Sequence, residues 1–279
     1  MERTDLIGVF DSGIGGLTVA NEIAKALPHE SILYFGDTAR CPYGPRSQDE
    51  VRGFVHQICS WLCQQRVKLI VIACNTATAA GLRMAQKDFD VPVIGVIAPG
   101  ARAAVQVTSN RKVGVIATVG TVESGAYVDA IHALDAGVTV YSKATPRFVQ
   151  IAEEGLCIGQ GPCRIPHQLL EEYQQVARDY LSCAAEHGID TLVMGCTHFP
   201  LVEPLIAQAV GPDVKLISSA QETAREVAET LRRRGQLATG EPIYRFATTS
   251  DDLAGFLELG SRIFSHPVES IQHVDMGEE

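Results

Sequence analysis

The 279-residue sequence contains no apolar stretch approaching the roughly 20 residues needed to span a bilayer. Its first residues pass almost at once into Leu6-Ile7-Gly8-Val9-Phe10, without the basic flank, long apolar region and small-residue cleavage site of a secretory signal. A cytoplasmic protein is expected. There is no G-x-x-x-x-G-K-S/T phosphate loop, which excludes ordinary P-loop nucleotide chemistry. Neither C-x-x-C nor H-E-x-x-H spacing occurs, so no metal is expected. Lysine is scarce, at six residues, and none has an evident nucleophile context for a pyridoxal enzyme. Low-complexity tracts are missing too, since the 25 glycines and 13 prolines are spread along the chain rather than gathered into a flexible join. A net charge of -10 disfavours nucleic acid or an anionic membrane as partner and leaves a small molecule as the expected one. The single dense basic run, Arg232-Arg233-Arg234 before Gly235, reads as the charged end of a helix. Eight dispersed cysteines in a chain of this kind are expected to be thiols.

What is present is a series of short runs rich in Val and Ile alternating with helix-like stretches: 6–10, 31–35, 69–73, 93–97, 113–117, 138–141, 191–194 and 214–217. Continuously apolar strands separated by helices predict an α/β fold with mostly parallel sheets covered on both faces. Such folds place their sites beyond the carboxyl ends of strands. Five runs lead there into small polar or reactive residues: Asp11-Ser12-Gly13, Gly36-Asp37-Thr38, Cys74-Asn75-Thr76, Thr118-Val119-Gly120-Thr121 and Cys196-Thr197-His198.

The runs also repeat. Ile70-Val71-Ile72-Ala73-Cys74-Asn75-Thr76 aligns with Leu192-Val193-Met194-Gly195-Cys196-Thr197-His198, and Val93-Ile94-Gly95-Val96-Ile97 with Val214-Lys215-Leu216-Ile217-Ser218. Ile7-Gly8-Val9-Phe10-Asp11-Ser12 aligns with Val113-Gly114-Val115-Ile116-Ala117-Thr118. Two pseudo-symmetric lobes are expected, the first over 1–97 completed by 212–279 and the second over 98–211, with an active site in the cleft between them.

Singly, Cys74 or Cys196 would pass for a space-filling core residue. At matched points of a repeat, each ending a buried strand and preceding a helix start that favours anions, they point to paired reactive thiols. Cys59 and Cys63, four apart on a helix, read as core or a half-exposed face, and Cys157, Cys163 and Cys183 lack a matching context. Cys41 introduces a structured loop, Pro42-Tyr43-Gly44-Pro45. Asp11-Ser12-Gly13-Ile14-Gly15-Gly16 departs from G-x-G-x-x-G and carries a carboxylate where pyrophosphate would approach, which disfavours a nucleotide. Asp11 can hold a proton near a cysteine or bind an ammonium group, Ser12 can bind a polar substrate, and His198 changes charge near neutral pH.

At these residues, from about Ile7 to about Val227, the sequence resembles the bacterial glutamate racemase family. The motifs are Ile7-Gly8-Val9-Phe10-Asp11-Ser12-Gly13, Gly36-Asp37-Thr38, Cys41-Pro42-Tyr43-Gly44, Ala73-Cys74-Asn75-Thr76-Ala77 and Gly195-Cys196-Thr197-His198-Phe199-Pro200. The resemblance implies interconversion of L- and D-glutamate for peptidoglycan synthesis, without pyridoxal phosphate, metal or nucleotide, in a cytoplasmic homodimer. It further implies that Cys74 and Cys196 exchange the Cα proton on opposite faces, assisted by Asp11 and His198. Ser12, Tyr43, Gly44, Asn75, Thr76, Thr197 and His198, with Thr121, match substrate-contacting motifs. Asp37 and Glu153 match acidic site positions, Glu153 being preferred over its neighbour Glu154 because acid-x-Gly ends at Gly155. Related sequences often carry a longer N-terminal extension tied to activation by a cell-wall precursor, and no such activation is expected from this short start.

The paired thiols would equally serve aspartate or another small acid. A dithiol redox protein, and a non-catalytic regulator binding a protein such as a topoisomerase, are the alternatives of other classes. The tail after about residue 240 adds little.

Overall fold

The computed structural model describes residues 6–158 and 167–277, the side chains of 156–158, 167, 168 and 183 excepted. Cys163 and the side chains of Cys157 and Cys183 thus lie outside the described residues. The chain divides into two compact units, one formed by Met1–Val96 with Ala220–Glu279 and the other by Ile97–Ser219.

In the first unit, β1 (Ile7–Asp11), β2 (Ile32–Gly36), β3 (Leu69–Ile72) and β4 (Val93–Gly95) form a parallel sheet in the order β2-β1-β3-β4. The second unit repeats that order as β6-β5-β7-β8, from β5 (Lys112–Ala117), β6 (Thr139–Ala144), β7 (Thr191–Gly195) and β8 (Lys215–Ser218). Each of the eight runs read from the sequence therefore falls on a strand, that of 93–97 stopping at Gly95 before a helix opens at Ile97, and the fold is parallel α/β as expected. Their apolar character follows from burial on both faces, since every residue of β1, β2, β3 and β7 is buried beneath covering helices. One segment sits differently from expectation. Residues 212–219, assigned by sequence to the first lobe, lie in the second unit because β8 pairs with β7.

The segment after residue 240, which adds little to the family resemblance, adds two parallel strands to the first sheet. β9 (Tyr244–Thr248) pairs with β2, and β10 (Ile271–His273) pairs with β9. A buried ion pair, Lys68 to Glu30 at 2.6 Å, helps to hold the segment leading there: Lys68 Nζ donates to the Gln236 carbonyl at 2.7 Å and Glu30 accepts the Ala238 N–H at 2.8 Å. Arg232-Arg233-Arg234 does close a helix, Ser219–Arg234, and Gly235 follows in the left-handed conformation at φ 62°. No helix among the described residues is long and apolar enough to cross a membrane.

In each unit the strand order reverses between the first strand and the third. The connections leaving those two strands turn to opposite faces and open a crevice at the carboxyl edge. Asp11 with Cys74 occupies that edge in one unit, and Thr118 with Cys196 in the other.

Candidate active site

Asp11 is the last residue of β1 and is 1% exposed. Its Oδ2 accepts the backbone N–H of Gly13 at 3.2 Å and of Gly16 at 3.0 Å, so the glycine-rich turn closes on the protein's own carboxylate. Gly16 has no room for a side chain, because a Cβ there would stand 2.9 Å from the Tyr34 hydroxyl and closer still to the Asp11 Cβ. Tyr34 braces the same turn by donating to the Gly13 carbonyl at 2.7 Å. Burial, then the electrostatic influence of Asp11 and the nearby Cys74 and Cys41, hold its phenol well above the ordinary tyrosine value, so it stays neutral.

Cys74 is the N-cap of the helix Asn75–Asp88. Its sulfur accepts the Ala77 N–H at 3.4 Å and lies 3.9 Å from the Ser12 hydroxyl. A backbone donor and the positive end of a helix both favour an anionic sulfur. Asn75 and Thr76, the first two helical residues, are buried beside it in sequence. Cys74 and Cys196 stand at matched points after β3 and β7, with one difference. Cys196 follows β7 directly but opens onto a short 3-10 turn, Phe199–Val202, before the helix Glu203–Val210 begins. Pro200 and Pro204 supply no N–H, which keeps Cys196 from capping an α-helix as Cys74 does.

Around Cys196 the partner is a side chain. The Cys196 sulfur lies 3.9 Å from His198 Nδ1, and His198 Nε2 lies 3.1 Å from Glu153 Oε1. His198 is 5% exposed, and burial opposes its charge. The Cys196 sulfur and the Glu153 carboxylate outweigh that opposition and push its pKa up to about 10, so the ring is an imidazolium at neutral pH. The two neighbouring acids face different partners, Glu153 meeting His198. Glu154 turns instead to Arg147 at 2.7 Å and to the Tyr173 hydroxyl. Hydrogen bonds from Tyr173 and Arg147 lower the Glu154 pKa. Thr197 is buried in the same turn, and Thr121 is buried after β5 with its hydroxyl 3.0 Å from that of Thr118.

Asp37 and Tyr43 form a further cluster in the first unit. Asp37, wholly buried after β2, accepts Arg40 Nε at 2.8 and 3.0 Å, the Tyr43 hydroxyl, and Thr249 Oγ1 at 2.8 Å. Burial and the Asp37 charge keep the Tyr43 phenol well above its usual pKa. Gly44 follows, half-buried. Tyr34, Arg40, Tyr173 and Thr249 were not read as site residues from sequence. Tyr34 is hidden in an apolar strand. Thr249 follows a strand directly, as the chosen residues do, but that strand opens on half-buried Tyr244 and exposed Arg245 rather than reading as one apolar run. Cys59 is core, and burial pushes its thiol up to about 12, while Cys63 is partly buried. Among the described residues no group of three His, Cys, Asp or Glu side chains could hold a metal.

Two thiols at equivalent sheet edges, one beside a turn-held carboxylate and the other beside an imidazolium, suit proton transfer at carbon. The model of the Asp/Glu/Hydantoin racemase family matches residues 7–227. Glutamate racemase of Bacillus cereus is 44% identical over 281 residues, covering 100% of both chains. The chain belongs to the Asp/Glu/Hydantoin racemase family. Among solved structures, glutamate racemase isoform RacE1 from Bacillus anthracis superimposes with a TM-score of 0.90 at 44% identity, covering 98% of each chain. Glutamate racemase from Francisella tularensis, determined with D-glutamate, gives a TM-score of 0.87 at 36% identity and 98% of each chain. As a member of this racemase family the protein is an enzyme, an isomerase.

Proposed function

We propose that the protein racemises glutamate without a cofactor, with Cys74 and Cys196 as the two proton-transfer groups. The observation that carries this reading is the matched placement of the two thiols beyond β3 and β7, each with its own polar partner. Racemisation removes the Cα proton from one face and returns a proton to the other. A single base would have to relocate between these acts, whereas two groups need not.

In one direction the Cys74 thiolate takes the Cα proton and the Cys196 thiol gives one to the opposite face, and the reverse direction exchanges the roles. Asp11 serves the Cys74 side. The His198 imidazolium, backed by Glu153, steadies a thiolate at Cys196 and can restore its proton. Ser12, Tyr43, Gly44, Asn75, Thr76, Thr121, Thr197 and His198 are the substrate contacts in this reading, with the backbone and side-chain donors stabilising charge that builds on the α-carboxylate. Supplying D-glutamate to peptidoglycan synthesis, a cytoplasmic location and a homodimeric state belong to the same proposal. Its test is a circular-dichroism assay on extensively dialysed protein with either enantiomer of glutamate. Decay of ellipticity to zero from both sides supports it; no decay, or decay restored only by pyridoxal phosphate or a divalent metal, overturns it.

A further inference from the structure

Asp37 is the most heavily donated carboxylate beside the proposed site, and one of its donors comes from a part of the chain that the family model does not reach. That model ends at residue 227, whereas Thr249 follows β9 in the segment that completes the first sheet. Strand pairing puts it there. In the β2–β9 register Gly36 faces Thr248, so the next residues, Asp37 and Thr249, meet just past the carboxyl edge.

The contacts form a clamp. Thr249 Oγ1 donates to Asp37 Oδ1 at 2.8 Å and accepts the Ala39 N–H at 3.0 Å, and the Thr248 hydroxyl lies 2.5 Å from that of Thr38. The Thr249 N–H donates to the Gly36 carbonyl at 3.3 Å. Both threonines thus hold residues 36–39 from a strand more than two hundred positions away in sequence. Asp37 in turn accepts the Tyr43 hydroxyl and the Arg40 guanidinium, and Arg40 lies over the Phe54 ring, 4.1 Å from its centroid. The path from Thr249 to Tyr43 is two hydrogen bonds long and fully side-chain mediated at Asp37. A threonine that only terminated a strand would not need to aim its hydroxyl at a buried carboxylate.

The second sheet shows what happens without such a strand. Thr145 occupies the position equivalent to Asp37: the Thr145 N–H bonds the last carbonyl of β5, Ala117, at 2.9 Å, as the Asp37 N–H bonds the last carbonyl of β1, Asp11, at 3.0 Å. β6 is the edge of its sheet, and the buried Thr145 hydroxyl has no hydrogen-bond partner among the described residues.

We infer that Thr249 is a positioning residue for substrate binding, fixing Asp37 and through it the Tyr43 loop. The inference rests on the proposed role of Tyr43 at the glutamate site. Removing one hydrogen bond to a buried carboxylate predicts a rise of about tenfold in KM for both glutamate enantiomers in Thr249→Ala, with kcat changed less than about threefold. Thr249→Ser should restore KM to within about twofold of the parent.

The decisive readout is a double-mutant cycle with Asp37→Ala, which removes the acceptor. If Thr249 acts through Asp37, Thr249→Ala adds less than about twofold to KM in that background, because the two sites are coupled. A merely structural role would add its full effect in both backgrounds, with equal loss of Tm. An unchanged KM in Thr249→Ala, full additivity, or failure of serine to rescue overturns the inference. Should Thr249→Ala not fold, Thr249→Cys retains a weak donor and should show a smaller rise of the same sign, and an unchanged KM there overturns the inference equally. A parent protein that does not racemise glutamate refutes the proposed function instead, so the two failures are distinguishable.

Discussion

The two sheets place a thiol at the same point and surround it differently. Where β1 ends in Asp11, β5 ends in Ala117, and where the third position of the first cysteine motif is Thr76, the second has His198. The buried polar group beside Cys74 is therefore a carboxylate tied by backbone N–H groups. The group beside Cys196 is a ring tied to a half-exposed carboxylate, Glu153 being 45% exposed at its side chain. Repeated strands fix where each sulfur stands, and the unrepeated residues fix what surrounds it. A reaction that treats its two substrates as mirror images can be run by surroundings that are not mirror images, provided each side can both hold and release a proton.

The comparison breaks most completely if either thiol is removed. Cys74→Ala and Cys196→Ala should each lower racemisation by at least about a thousandfold, since a missing acid or base costs up to about 10⁴-fold. Each variant should still eliminate the β-substituent from one enantiomer of a glutamate analogue bearing a leaving group, with opposite preferences. Chiral chromatography of the unreacted analogue reads the outcome, and a shared preference would refute the opposed thiols.

Next in size are the unlike partners. Asp11→Asn and His198→Asn should lower kcat on the order of a hundredfold, unequally for L- and D-glutamate and with opposite bias. Equal losses confined to KM would show that neither group manages a proton.

A pH series sharpens the same contrast. Because the His198 pKa stands near 10, its imidazolium persists at neutral pH and is lost as pH rises through about 10. The alkaline limb of the parent kcat profile at that pH should vanish in His198→Asn and persist in Asp11→Asn. Stability follows the same sign. A histidine whose folded pKa is raised contributes stability that is fully present below its unfolded value of about 6.5 and lost through the folded one. The Tm difference between parent and His198→Asn should therefore shrink between those two limits.

The smallest effect compares Asp37 with its counterpart Thr145. Asp37→Ala strips the partly buried Arg40 of its carboxylate and should cost about 3 kcal/mol. Thr145→Val removes a buried hydroxyl without a protein partner among the described residues and should leave stability unchanged or raise it by about 1 kcal/mol. Urea unfolding of both variants measures the pair.

Much of this was legible in the residue order. Strands buried on both faces must be apolar along their whole length, so β1 to β8 announced themselves as continuous runs, and the polar residue that ends a run marks the edge where chemistry sits. Asp11, Cys74 and Cys196 were visible for that reason. β9 and β10 were not, because they pair at one side of a finished sheet and keep residues such as Arg245 exposed, which weakens the apolar signal. Thr249 was invisible with them. Glu153 and Glu154 are adjacent acids on one helix, and local sequence gave only a loose ground for choosing between them.

The sequence by itself determined the alternation of strand and helix, the repeat, and the cysteine that follows each repeat's third strand, since these depend on periodicity and on the residue types at the carboxyl end of each strand. Only the tertiary structure decided that Glu153 faces His198 while Glu154 faces Arg147, because successive helical residues point about 100° apart and the choice depends on what packs there. It alone brought Thr249 to Asp37, through a strand register joining residues separated by 212 positions. A contact at that separation leaves no periodic trace in the chain; it exists only once parallel pairing has aligned two carboxyl ends at one edge.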